Sequence, residues 1–380
     1  MKEWTLILDI AMLCILLGIA TILKNKVKIL QRFLIPNSII AGFLGLLLGS
    51  EGLKILPFDT DRLVTLVYHL MAIGFISLSL KERKRDKSKG VLNTGAIIVS
   101  TYVIQGILGL TLSLGLCYTL FPDLFPFMGL LLPLGYGQGP GQASSIGMQW
   151  ELSGFSAGTN VGLTIAALGF IWACIGGVPL INYLIKVKKM QPKYKTPDHS
   201  AAIIYEVDNA GDLPLSESMD RVTVQIILIG IAYFITYLFT KGLGSILVNF
   251  GTLGTTLSNL LWGFNFLIGS LFALLIRIVF DRLKENKVII RSYPNDFLLS
   301  RISGGCFDFM ITASIAGISI KLLKDYWIPV ILICTLGGIL TLFYVVFIIK
   351  KCFKNDILEN IAASYGMLTG TPSTGLALLR

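Results

Sequence analysis

The chain has 380 residues, of which 54% are hydrophobic and 14% charged, with a formal net charge of +10. Soluble domains carry roughly 25% charged residues, and apolar runs of about 20 residues, each long enough to cross a hydrocarbon core about 30 Å thick, recur along the chain; a soluble globular protein is excluded. The positive charge does not point to nucleic acid, because Lys and Arg lie in short clusters between apolar runs, where cytoplasmic loops collect them.

The first apolar run, Trp4 to about Leu23, is followed by LKNKVKILQR with no clear small-residue cleavage site. It reads as a retained span and not a signal peptide. Further spans are predicted at about 33–50, 63–80, 91–120, 158–185, 221–240, 255–280, 296–320 and 326–349. The polar stretch 188–220 reads as a cytoplasmic linker of tether-like composition. The six cysteines lie singly, without a CxxC or a Cys/His cluster, and the two histidines are scattered; neither a metal site nor a disulfide framework is suggested.

Loop charge sets the orientation. Lys24, Lys26, Lys28 and Arg32 follow the first span, the run from Lys81 to Lys89 follows the third, and Lys186, Lys188, Lys189, Lys193 and Lys195 open the linker. The loops between them are poor in Lys and Arg, so the N-terminus is expected outside and these clusters inside. The span at 91–120 then ends outside, and the span at 158–185 starts outside. The segment 126–150, which contains GYGQGPGQASSIG, must therefore enter and leave on one face, as a re-entrant hairpin. Lys350, Lys351 and Lys354 precede YGMLTGTPSTG, so a second hairpin starting near 360 enters from the inside.

The two Gly-rich segments match. Tyr136-Gly137, Gly141 and Ser144-Ser145 correspond to Tyr365-Gly366, Gly370 and Ser373-Thr374, at an offset of 229. FISLSLK at 75–81 matches IAGISIK at 315–321, at an offset of 240. Five spans separate the hairpins, so the halves have opposite orientation. The expected fold is an all-α polytopic membrane protein of two inverted repeats of about five transmembrane helices, each with a Gly-rich re-entrant hairpin. Residues 1–187 form the first repeat and 221–380 the second. Inverted repeats are a mark of secondary transporters, with the site at mid-membrane where the repeats meet.

Free backbone in lipid costs several kcal/mol per group unless it is buried in protein or lines a wet cavity. Gly-rich tips supply such backbone where a ligand can use it. Half-helix N-terminal amides attract carboxylates; carbonyls and hydroxyls suit a hard cation such as Na+. The candidate substrate and ion ligands are Gly137, Gly139, Gly141, Gln142, Ser144 and Ser145 in the first hairpin. In the second they are Gly366, Gly370, Thr371, Ser373 and Thr374. Na+ is assigned to Ser145, Thr374 and hairpin carbonyls. Asp308 and Asn37 join the set as polar residues inside spans, with Gln105 a weaker candidate. The packing alternative for the glycines is the small-xxx-small helix contact. A nucleotide loop has no preceding strand and no GK[ST] here. A channel would want charged rings, and an enzyme a convergent catalytic set; neither is evident, so no enzyme and no cofactor beyond Na+ as coupling ion are expected.

LIPNSIIAG, the paired Gly-rich hairpins and YGMLTGTPSTGLA together resemble the bacterial sodium/glutamate symporter family over nearly the whole chain. The resemblance implies Na+-driven glutamate uptake across the bacterial inner membrane. It also implies an elevator-like motion of a hairpin-bearing domain against a dimerising scaffold, and hence a homodimer. The first hairpin is longer and richer in Gln and Pro than the family core. This leaves a Na+- or H+-coupled carrier of hydroxy- or dicarboxylates, such as citrate or malate, as the alternative; a proton-coupled carrier would titrate Asp308. Ten residues follow Gly370, so the second repeat is expected to be C-terminally incomplete, lacking its last span and inactive in this form.

Overall fold

The computed structural model describes residues 4–82, 89–187, 221–289, 293–371, 374–375 and 378–379. The linker 188–220 and most of the 81–89 positive cluster lie outside the described residues. Among those described, the chain is helix and turn throughout.

Helix α1 (Thr5–Lys26) is an apolar rod with Lys24 and Lys26 in its last turn, where cations complement the negative helix end. A short α2 (Lys28–Arg32) follows. The chain passes Leu34 at φ 53° and then Pro36 before α3 (Asn37–Leu48) begins. Pro36 lacks the N–H that a continuing helix needs. The expected span 33–50 is therefore a 12-residue helix entered through a break. Helix α4 (Thr60–Ser79) is capped by Asp59, whose carboxylate accepts from Arg62 N, satisfying one orphan amide. The long α5 (Lys89–Thr119) closes this group.

The segment expected to be irregular is broken in two. Met128–Leu130 forms a 3-10 turn, α6 (Leu131–Pro133) one short turn, and Leu134–Gln138 a π-helical stretch. After Gly139 the chain restarts as α7 (Pro140–Glu151). The central α8 (Gly158–Lys186) buries 78% of its apolar stretch, against 22% for α1. It is the column on which both Gly-rich segments rest.

Past the linker come α9 (Arg221–Val248), α10 (Gly251–Gly263), α11 (Asn265–Glu285), α12 (Asp296–Ala316), α13 (Trp327–Cys352) and α14 (Ile357–Thr369). The single span expected at 255–280 is a correction: α10 and α11 meet at 65°. At the break Tyr68 Oη donates to the Trp262 carbonyl at 2.7 Å. Six described helices are long and apolar enough to cross a membrane, seven if the bent pair is one span.

Packing partners recur between the halves. α3 lies on α1 and α12, and α11 lies on α9 and α4. α4 packs on α12 and α5 on α13, each long helix being lined by the broken segment that follows it. A Cβ at Gly45 would stand 2.7 Å from Ala316 Cβ, and one at Gly269 would stand 2.7 Å from Ile76 Cδ1. Ile76 and Ala316 are 240 residues apart, the offset at which FISLSLK matches IAGISIK. Helices α1, α3, α4 and α9–α12 thus form one group. The other comprises α5–α8, α13 and α14. An apolar cavity of about 310 Å³, lined by Leu23, Ile39, Phe43, Phe170 and Cys174 among others, lies on the boundary.

Candidate functional site

The register of side-chain contacts traces the first broken segment. Ser113 Oγ donates to Pro126 O at 2.6 Å and Tyr102 Oη to Gly137 O at 2.9 Å. The arm therefore runs antiparallel to α5, its last turn reaching the level of Tyr102. Between these points the backbones touch: a Cβ at Gly129 would stand 1.8 Å from Gly109 O, and one at Gly109 would stand 2.0 Å from Gly129 O. Only two glycines permit that approach. The chain then turns, and α7 runs back along α8, with Ala143 opposite Gly162 and Gly147 opposite Gly158.

The second broken segment arrives from the other end. Asn93 Nδ2 donates to Cys352 O at 3.0 Å near the start of α5, and Gln105 Nε2 to Leu368 O at 2.9 Å three turns on. α14 therefore runs parallel to α5, and its tip meets the first tip. Gly169 on α8 is the joint: a Cβ there would stand 2.5 Å from Thr369 O on one side and 2.8 Å from the Tyr136 ring on the other. A Cβ at Gly139 would have Thr371 Cγ2 at 3.9 Å and nothing closer. The two motif tyrosines are both buried and both anchor a tip: Tyr136 Oη donates to Cys334 O at 2.6 Å, and Tyr365 Oη to Trp172 O at 3.1 Å.

The structure sorts the candidate residues. Gly139 alone has the conformation of a tip, φ 93° and ψ 179°, a region occupied almost only by glycine. Gly141 faces Met71 of α4, with a Cβ 2.3 Å from its Sδ, and Gly137 faces the Tyr102 ring at 2.0 Å. Gly366 packs on Gly375 Cα at 2.7 Å, and Gly370 has Thr374 Oγ1 at 2.9 Å. These four lie in close packing contacts. Gln142, Ser144, Ser145, Thr371 and Thr374 are buried near the junction. Ser144 Oγ donates to Gly141 O at 3.1 Å, and the Thr371 and Thr374 hydroxyls pair at 3.1 Å. Ser373 lies outside the described residues.

Two candidates form no hydrogen bond to the tips among the described residues. Asn37 Nδ2 donates to Thr21 Oγ1 at 2.9 Å, tying α3 to α1. Asp308 is exposed on α12, one turn before Thr312, whose Oγ1 donates to Ser38 O at 3.2 Å. The structure adds Tyr102 and Thr341 to the candidate set and brings the weaker candidate Gln105 to the tips: the three hold them from α5 and α13. Their sequence signal was a polar side chain inside an apolar helix.

Chemically, the junction opposes two helix ends. α7 begins with Gly139 and with Pro140 at its first position, which leaves the amides of the next residues facing the tip. α14 ends there and leaves its last carbonyls facing the same place. The positive end of one half-helix and the negative end of another converge, an arrangement suited to an anion beside a cation.

A family profile described as sodium/glutamate symporter matches residues 4–369. No curated protein and no solved structure matches the chain. The matched span includes α1 and runs to the end of α14, so it covers both broken segments and the helices that hold them. This chain is a multi-pass membrane protein that belongs to the sodium/glutamate symporter family of sodium-coupled transporters.

Proposed function

We propose that the protein carries glutamate, or a closely related small carboxylate, into the cell together with Na+, through a site at the junction of the two tips. The observation that carries this reading is the meeting of Gly139 and Thr371 beside Gly169, from broken segments that run in opposite directions along α8. Each segment is read as a re-entrant hairpin, and residues 1–187 and 221–380 as inverted repeats. The exchange of packing partners between the halves supports that symmetry. The first-turn amides of α7, with Gln142 and Ser144, take the substrate carboxylate. Ser145, Thr374 and the α14 carbonyls, with Thr371 and Ser373, supply oxygens to Na+. Asp308 and Asn37 act from outside this junction, on the helices that face it.

Transport proceeds by an elevator-type movement in a homodimer of the inner membrane, with the N-terminus outside. The group bearing the tips moves against the group of α1, α3, α4 and α9–α12. The apolar cavity between α3 and α8 supports a boundary that is able to slide. Co-moving cations offset the cost of bringing an anion into an inside-negative cell, roughly 2.3 kcal/mol per charge per 100 mV.

Uptake of radiolabelled glutamate by proteoliposomes, with an inward Na+ gradient or with choline in its place, tests the reading. Na+-dependent uptake that excess citrate leaves unchanged is the expected result. Uptake indifferent to Na+ overturns it.

A further inference from the structure

Gln105 is fully buried on α5, between α13 and the last turn of α14. Its Nε2 has two partners, Thr341 Oγ1 at 2.8 Å and Leu368 O at 2.9 Å. The Thr341 hydroxyl gives its own proton to Gly337 O at 2.7 Å, so toward Gln105 it accepts. A backbone carbonyl also only accepts. The amide therefore has one orientation, because turning it over would set Oε1 against two acceptors. Oε1 is then a fixed, buried carbonyl oxygen with no hydrogen-bond partner among the described residues. An orphaned buried acceptor of this kind is destabilising unless something satisfies it.

Covalent geometry keeps Oε1 within about 5 Å of Leu368 O. That carbonyl belongs to the C-terminal turn of α14, whose last carbonyls have no intrahelical donor and carry the negative end of the helix. No Asp or Glu occurs within a turn of Gln105 on α5 or between Tyr365 and Thr371. The oxygens on offer are neutral, which suits a monovalent hard cation better than Ca²⁺, whose sites recruit carboxylates.

We propose that Gln105 Oε1 is a direct ligand of the coupling Na+, held against the C-terminal end of α14 by the clamp its own Nε2 makes. The inference rests on the Na+-coupled reading above and adds a ligand from α5, outside either Gly-rich motif. Gln105 thereby links cation binding to the position of the second tip: the same amide that meets the ion fixes Leu368.

The test is a Na+ titration of the purified full chain without substrate, at constant ionic strength with choline, read by intrinsic tryptophan fluorescence. Trp172 is the reporter, since its carbonyl accepts from Tyr365 and its ring packs over Gly338. Gln105→Met removes acceptor and clamp together, and Thr341→Val weakens the clamp but keeps Oε1. The half-saturating Na+ concentration is expected to rise about tenfold in Gln105→Met, the factor that a loss of about 1.4 kcal/mol gives, and to change far less in Thr341→Val. Equal shifts in both make Gln105 a clamp only and overturn the proposal. No shift in either means that a buried water satisfies Oε1, and overturns it too. Should Gln105→Met not fold, Gln105→Lys keeps N–H donors for Leu368 O and Thr341 Oγ1 and has no acceptor; it is expected to abolish the response to Na+, and an unchanged Na+ requirement refutes the assignment. Na+-dependent uptake that persists with unaltered Na+ affinity in these variants sinks this ligand alone and leaves the symporter reading standing.

Discussion

At the scale of single residues, the glycines of the first motif divide by physical cause. Gly139 is constrained by its backbone, at φ 93°, with no atom nearer to a Cβ placed there than Thr371 Cγ2 at 3.9 Å. Any side chain there is strained by about 1–3 kcal/mol, although nothing clashes. Gly141 is constrained by a neighbour, Met71. The two therefore respond differently to a second mutation. Gly139→Ala is expected to lose most uptake and to stay lost when Met71 is shortened. Gly141→Ala is also expected to lose uptake, and Gly141→Ala with Met71→Ala to recover much of it. Uptake rates normalised to inserted protein distinguish these. Failure of the double variant to recover would make Gly141 a ligand-facing residue instead of a packing one.

At the scale of elements, ion pairs fix where helices sit. Asp9 of α1 is fully buried, and Arg62 of α4 donates to it through Nε at 2.6 Å and Nη2 at 3.3 Å. Removing one partner of a buried pair costs about 3–5 kcal/mol; the cost is smaller here because the Arg62 side chain is 34% exposed. Arg62→Ala is expected to lower the melting temperature in detergent clearly. Asp9→Asn with Arg62→Gln is expected to lower it less, since no bare charge is then buried. A double variant as unstable as the single one contradicts this. Arg277 of α11 does the corresponding work at the other end of the same group. It is buried, donates to Leu80 O at 3.2 Å, and pairs with Asp281 and Asp296.

At the scale of the molecule, the two helix groups meet at few specific points. Met71 faces Gly141, and Gln149 of α7 faces Gly263 at the α10–α11 break, its Cγ 3.6 Å from a Cβ placed there. In a background without the six native cysteines, Gln149→Cys with Gly263→Cys is expected to cross-link. The bridge is expected to stop uptake, and reduction to restore it. Transport at an unchanged rate by the bridged protein rules out sliding at this boundary. Orientation has its own check: a cysteine at position 54 is expected to react with an impermeant reagent from outside intact cells, and one at position 205 is not.

Much of this was legible in the sequence, for a definite reason. Apolar runs, positive clusters and the Tyr-Gly-Gly-Ser/Thr repeat are local patterns, and lipid demands that every long apolar run become a helix with its backbone satisfied internally. The membrane class, most spans and the two broken segments therefore followed from composition and order alone. Breaks inside apolar runs were less visible. A lone glycine in WGFNF does not by itself announce a 65° bend between α10 and α11, and the Tyr68 hydroxyl that meets the Trp262 carbonyl at the break lies 194 residues away in sequence. The division of the glycines was hidden for the same reason, since Met71 and Tyr102 lie on other helices. Asp308, polar and mid-span, drew attention through its type, whereas Gln105 became informative only when both its hydrogens were seen to be used. Local order determined which segments are long apolar helices and where the two Gly-rich segments interrupt them. Packing between distant helices decided which glycines turn the chain, which ones only make room, and which oxygen is left without a partner.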